Sequence, residues 1–221
     1  RSTLFPYTTL FRSLADFMPV LDWVRTDLQY VDSEGSETML FDLITFAAFD
    51  IFILQRPNAE RDYLPEVSLK AGEKFEKMKE TEKEELSYTI IVYTQGFINS
   101  AVVGSKDYLS LFVRALRKYN EVDKATLRRH FSIFIKEVVP VAEKHGIKLC
   151  IHPDDPAFPL LGLPRMVCTI EDLEWIFSQN ESIANGLTLC TGSLASRIGN
   201  DPVEFVCQRS EERRVGKECR S

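Results

Sequence analysis

Two short apolar runs, Ile147–Ile151 and Leu187–Leu189, constrain this chain more than any other feature. Each ends in a side chain that binds metals, and each is followed by a turn. The first runs into His152 within CIHPDDP (150–156), the second into Cys190 within NGLTLCTGS (185–193). His152 and Cys190 lie 38 positions apart, the length of one strand–helix–strand unit with a loop. A connection of that length suits two parallel strands joined by a crossover, not a hairpin. The arrangement points to an enzyme that builds a metal site from the tips of parallel strands.

The rest of the chain alternates strand and helix signals. Phe17–Val20 is a short apolar run, and residues 41–55 repeat apolar side chains at helical spacing (Phe41, Ile44, Ala48, Ile51). Residues 69–86 read as an exposed, charged helix, and the run 88–93 (YTIIVY) as a β-branched strand followed by a turn at 94–96. Helices follow at 106–119 and 123–145, the second closed by Gly146 and kinked at Pro140. After the strand at 147–151 comes a helix over 169–179, opened by Thr169 with Glu171 and Asp172 in its first turn. Asn185-Gly186 leads into a strand at 187–190, and Asp201-Pro202 opens a final helix. Apolar strands joined by helices predict a parallel sheet covered by helices. No glycine-rich nucleotide loop follows any strand. A barrel with functional loops at the C-terminal strand ends is therefore the best architecture, although a complete one needs about 250 residues.

Both termini are set apart from that pattern. Residues 1–13 (RSTLFPYTTLFRS) and 209–221 (RSEERRVGKECRS) can be back-translated as reverse complements of each other, codon by codon. Arg1 as AGA pairs with Ser221 as TCT, and Pro6 as CCC pairs with Gly216 as GGG. Both ends read as translated library adapter, which leaves 14–208 as a partial barrel domain. Coding DNA with other codons at these positions would refute this.

Without those ends, which hold seven of the 27 basic and three of the 33 acidic residues, the net charge falls from −6 to −10. An acidic chain without a basic stripe excludes a nucleic-acid partner and an anionic membrane surface. The longest apolar stretch, 41–54, carries Asp42 and Asp50 and is shorter than the roughly 20 residues a bilayer span needs. Cys150, Cys168, Cys190 and Cys207 match neither a zinc ribbon nor a disulfide framework. Buried thiols in an ordinary composition fit a reducing cytoplasm.

The chemistry gathers after the strand at 147–151. Cys150 and His152, two apart in a strand, share a face. Asp154 and Asp155 follow in a turn bracketed by prolines. One of these carboxylates is placed to orient a metal ligand from behind, although carboxylates there ordinarily shape the turn itself. A cysteine in a strand is ordinarily a small core residue. His152 and Cys190 become a candidate ligand pair because they occupy equivalent strand ends one unit apart.

The segments 150–169 (CIHPDDPAFPLLGLPRMVCT) and 185–201 (NGLTLCTGSLASRIGND) closely resemble mannonate dehydratase. So do 17–31, 41–54, 95–99 and 128–149, in order through essentially all of 14–208. The resemblance implies an α/β fold, an incomplete (β/α)8 barrel holding roughly strands three to six. It implies a divalent metal, Mn2+ or Fe2+, held by a Cys, two His and an Asp. His152 of HPDDP and Cys190 of CTGS match the first two ligand types, while the other two and the catalytic acid and base are expected beyond this chain. Before Phe17-Met18-Pro19 the family carries an aromatic residue and an Asn, where this chain has Ala15 and Asp16.

The implied reaction is dehydration of D-mannonate to 2-dehydro-3-deoxy-D-gluconate in cytoplasmic glucuronate catabolism, by a parent that forms a homo-oligomer. Arg165, in GLPR, and Arg25, in DWVRTD, are candidates to hold the substrate carboxylate, their alternative being ordinary ion pairs. A sugar isomerase or other metal-dependent barrel enzyme is the competing reading. It leaves HPDDP, GLPR and CTGS together unexplained. The truncated chain itself is expected to be inactive.

Overall fold

The computed structural model describes residues 24–93 and 106–211, with side chains described up to 207. The expected strand at 17–20, the departure at Ala15 and Asp16, the segment 95–99 and nearly all of both terminal segments lie outside the described residues. The chain divides into two units, at Glu121 and Val122.

The first unit opens with an antiparallel hairpin, β1 (Asp27–Val31) and β2 (Glu37–Leu40), in which Tyr30 faces Thr38 and Val31 faces Glu37. Asp32 builds its turn: Oδ1 accepts from the amides of Glu34 (2.8 Å) and Ser36 (2.9 Å), while Gly35 supplies φ +83°. Helix α1 (Leu43–Ala48) is capped by Asp42, which accepts from the Thr45 amide at 2.7 Å, and continues as a π-helical turn over Phe49–Ile53. Helix α2 (Pro65–Lys77) starts with proline in its first turn, where no amide is required. Ala47 and Ala48 pack against Ala71, with Phe52 stacked on Phe75 at 5.2 Å.

Three expectations change in this unit. The helix expected at 69–86 is two helices, α2 and α3 (Glu80–Tyr88), because Met78 and Lys79 are extended between them. The strand expected at 88–93 is helical, since α3 runs on into a π turn over Thr89–Tyr93 that buries Thr89, Ile90, Ile91 and Val92. A short apolar run does not distinguish a buried strand from a buried helix. Here no glycine or proline stops the preceding helix. The hairpin was not anticipated, because most of its side chains face solvent and leave no apolar alternation. Helix α4 (Tyr108–Arg117) lies where expected.

The second unit follows the sequence more closely. Helix α5 (Lys124–Lys144) is capped by Asp123, contains Pro140 and ends at Gly146, whose φ of +65° a side-chain-bearing residue would resist. Strands β3 (Leu149–Ile151) and β4 (Asn185–Leu187) pair in parallel, with Cys150 opposite Gly186 and Ile151 opposite Leu187. Between them lies α6 (Ile170–Gln179), capped by Thr169. A Cβ on Gly186 would meet the Leu149 carbonyl oxygen at 3.2 Å, so the strands approach closely because this residue is glycine.

Ile135, Val139, Ala142 and Ala184 form one core cluster, with Phe131, Phe134 and Leu149 packed on it. Helix α6 is tied to α5 by Arg128, which donates to Asp172 at 2.8 Å and lies over the Trp175 ring at 5.0 Å. Two shorter helices follow, α7 (Thr191–Ala195) and α8 (Pro202–Glu211). The described residues thus form a mixed α/β structure with one parallel strand pair and one crossover, where the sequence suggested three. No helix among them is long and apolar enough to cross a membrane.

Candidate functional site

Parallel pairing places the exits of β3 and β4 side by side. The ladder continues one step past the strands, where the Thr188 amide donates to the Ile151 carbonyl at 2.8 Å. His152 follows directly on β3 and is exposed, as is Cys150, while Ile151 between them is half-buried. That alternation is the shared face expected from the sequence.

Nδ1 of His152 lies 2.7 Å from the Pro153 carbonyl oxygen. A carbonyl can only accept, so this contact favours the imidazole tautomer protonated at Nδ1, which leaves Nε2 as the nitrogen for a metal. The strand expected at 187–190 is instead β4 at 185–187, so Cys190 is not a strand end: it lies three residues past β4, at the N-terminal boundary of α7. It is half-buried, and its Sγ accepts from the Ser193 hydroxyl at 3.1 Å.

The remaining predicted residues divide. Asp154 is committed to the loop: Oδ2 accepts from the amides of Met166 (2.9 Å) and Val167 (2.7 Å), and Oδ1 from Arg165 Nη1 (3.3 Å). Its own amide donates to the Val167 carbonyl at 3.0 Å. Asp155 is half-buried beside it. Arg165 is only 5% exposed, and its Nη2 is buried without a hydrogen-bond partner. A substrate carboxylate would have to compete with Asp154 for this guanidinium. Arg25 belongs to the first unit, where Nη1 donates to the Val24 carbonyl at 2.8 Å.

Two contributors escaped the sequence reading. Cys168 is buried with its Sγ 3.6 Å from Asp154 Oδ2. Burial first, and then the carboxylates of Asp154 and Asp172, push its thiol well above the ordinary range. Ser193, three residues after Cys190, is the other; the CTGS spacing was its only signal. Of the four described cysteines Cys168 alone is buried, whereas Cys150 and Cys207 are exposed. The expectation of generally buried thiols is corrected accordingly.

As a metal centre the arrangement is partial. Imidazole and thiol are chemically sound donors for a transition metal, and here they follow two paired strands, His152 directly and Cys190 after three residues. Among the described residues, no group of three or more His, Cys, Asp or Glu could hold an ion.

The sequence model of the family described as "D-mannonate dehydratase (UxuA)" matches residues 13–215. The chain belongs to this family. A mannonate dehydratase of Marinomonas sp. (strain MWYL1) is 43% identical over 191 residues, covering 86% of this chain and 47% of the relative. Mannonate dehydratase 1 of Agrobacterium fabrum (strain C58 / ATCC 33970) is 42% identical over 200 residues, covering 90% and 48%. The chain therefore spans about half the length of these family members. The crystal structure of mannonate dehydratase from Streptococcus suis serotype 2 aligns over 92% of this chain and 46% of its own, at 27% identity and a TM-score of 0.45.

Proposed function

We propose that this chain is part of a metal-dependent hydro-lyase that converts D-mannonate to 2-dehydro-3-deoxy-D-gluconate in cytoplasmic hexuronate breakdown. The observation that carries the reading is membership of the D-mannonate dehydratase family, supported by His152 directly after β3 and Cys190 in the segment that follows its parallel partner β4. Under the same reading the complete fold is a (β/α)8 barrel, with strands three to six falling within 14–208.

The difficult step is removal of the proton from carbon 2, next to the substrate carboxylate. A base takes that proton while an acid protonates the departing carbon-3 hydroxyl, and the resulting enol tautomerises to the 2-keto acid. A bound divalent ion, Mn2+ or Fe2+, would polarise the substrate oxygens and offset the developing negative charge. His152 through Nε2 and Cys190 through Sγ would hold it. Arg25 and Arg165 are the guanidinium candidates for the substrate carboxylate, and Asp154 and Asp155 the carboxylates that orient the His152 segment.

Two measurements test the reading. In the complete protein, His152→Ala and Cys190→Ser should each abolish formation of the 2-keto acid and weaken Mn2+ binding. Wild-type turnover in both variants would refute the ligand assignment. The described residues offer only two candidate donors, so residues 1–221 should bind Mn2+ weakly and leave D-mannonate unchanged; turnover by this chain with added Mn2+ would sink the two-ligand account.

A further inference from the structure

We infer that Asp154 is a positioning residue for His152, acting through the peptide between Pro153 and Asp154 and not by contact with the imidazole. The inference rests on the proposed role of His152 as a metal ligand, but its geometry stands apart from any metal. In a planar trans peptide the C=O and N–H point in opposite directions. The Pro153 carbonyl faces His152 Nδ1 at 2.7 Å, and the Asp154 amide of the same peptide faces the Val167 carbonyl at 3.0 Å. Whatever fixes that peptide plane also fixes the acceptor that selects the imidazole tautomer.

The Asp154 side chain does the fixing. Its Oδ2 accepts from the Met166 and Val167 amides at 2.9 and 2.7 Å, so residue 154 grips the 166–167 backbone at three points. Arg165 Nη1 neutralises the carboxylate from the other oxygen at 3.3 Å. The far side of the clamp is anchored as well. The Cys168 amide donates to Asp172 Oδ2 at 3.2 Å, and Asn200 Nδ2 donates to the Cys168 carbonyl at 2.8 Å. The segment 165–168 is thus a fixed rail against which the exit of β3 is registered. Without the two side-chain bonds, the amide of residue 154 alone holds that peptide against Val167, the Pro153 carbonyl is held less firmly, and the preference for a proton on Nδ1 weakens.

The test compares two double variants of residues 1–221 that both lack the buried charges. Asp154→Asn with Arg165→Met keeps an oxygen acceptor for the two amides; Asp154→Ala with Arg165→Met removes it. Ring nitrogen NMR of metal-free protein at about pH 8, where imidazole is ordinarily neutral, reads the tautomer of His152. Wild type and the Asn variant should show a single form protonated at Nδ1, and the Ala variant should show averaging between the two forms. Amide signals of β3 and β4 should stay dispersed in all three.

A wild-type tautomer surviving in the Ala variant would overturn the inference, as would averaging in the wild type or in the Asn variant. Collapse of the β3 and β4 signals in both variants would also overturn it, because the pair would then hold the fold and not the histidine. The metal assignment fails separately, if Cd2+ titration gives the same thiolate absorption band in wild type, His152→Ala and Cys190→Ser.

Discussion

Each unit of this chain buries an aspartate against an arginine, and two such pairs, Asp50–Arg56 in the first and Asp154–Arg165 in the second, are built on opposite plans. In the first unit Asp50 is fully buried, takes Arg56 through Nε (2.9 Å) and Nη2 (2.7 Å), and also accepts from the Tyr63 hydroxyl at 2.8 Å. Arg56 has a reserve partner in Asp62 at 2.6 Å, and its side chain is 15% exposed. In the second unit Asp154 spends its strongest bonds on backbone amides, and Arg165 rests on a single 3.3 Å contact with its other terminal nitrogen unpartnered. The first plan is redundant and locks side chains to one another. The second has no reserve, and it locks two loops at the point where the candidate ligand leaves its strand.

The comparison breaks most sharply at Asp154. Asp154→Ala strands a 5% exposed guanidinium and two amides at once, and breaking a buried pair in this way costs about 3–5 kcal/mol. Urea unfolding of residues 1–221 should register that loss in the second unit. Asp50→Ala should cost less, about 1–3 kcal/mol, because Asp62 still faces Arg56 and the main loss is the Tyr63 hydrogen bond. Should the order reverse, redundancy is not what distinguishes the two pairs. A third substitution sharpens the role of backbone packing beside the site. Gly186→Ala places a Cβ 3.2 Å from the Leu149 carbonyl oxygen and should destabilise the β3–β4 pair by about 1–3 kcal/mol, measured in the same unfolding experiment.

The two units also differ in how much of them the sequence disclosed. Thr169 and Gly146 mark helix ends by local chemistry, and the structure ends helices at both. The parallel pair was legible for the same reason, since a crossover of that length with an internal helix has one natural solution. In the first unit the governing events are not local. Ile90, Ile91 and Val92 are helical because the preceding helix continues into them, which β-branching alone does not reveal. The hairpin carries little apolar signal. At the candidate site, His152 was visible as a residue type at a strand end, whereas Cys190, read as the end of a strand, lies three residues past β4. The grip of Asp154 on Met166 and Val167 was not visible, because it joins loop positions 12 and 13 residues apart through backbone amides. No side-chain pattern records those.

The smallest expected effect concerns alkaline pH, where each unit holds a buried neutral acid that resists ionisation, Tyr63 in the first and Cys168 in the second. Burial and the Asp50 carboxylate push the Tyr63 phenol up, while burial and the carboxylates of Asp154 and Asp172 push the Cys168 thiol up. Both groups keep their proton in the folded chain at a pH where the unfolded chain has lost it. Their contribution is therefore intact below the unfolded values, 9.0 for the thiol and 10.0 for the phenol, and declines as pH rises above them. Stability of residues 1–221 should fall progressively above pH 9, with the Cys168 contribution beginning first. Cys168→Ala should remove the earlier part of the slope and Tyr63→Phe the later part, in unfolding curves collected at stepped pH. A slope unchanged in Cys168→Ala would mean that its thiol reaches water in the folded chain, and the rail at 165–168 would then be looser than the hydrogen bonds to Asp154 indicate.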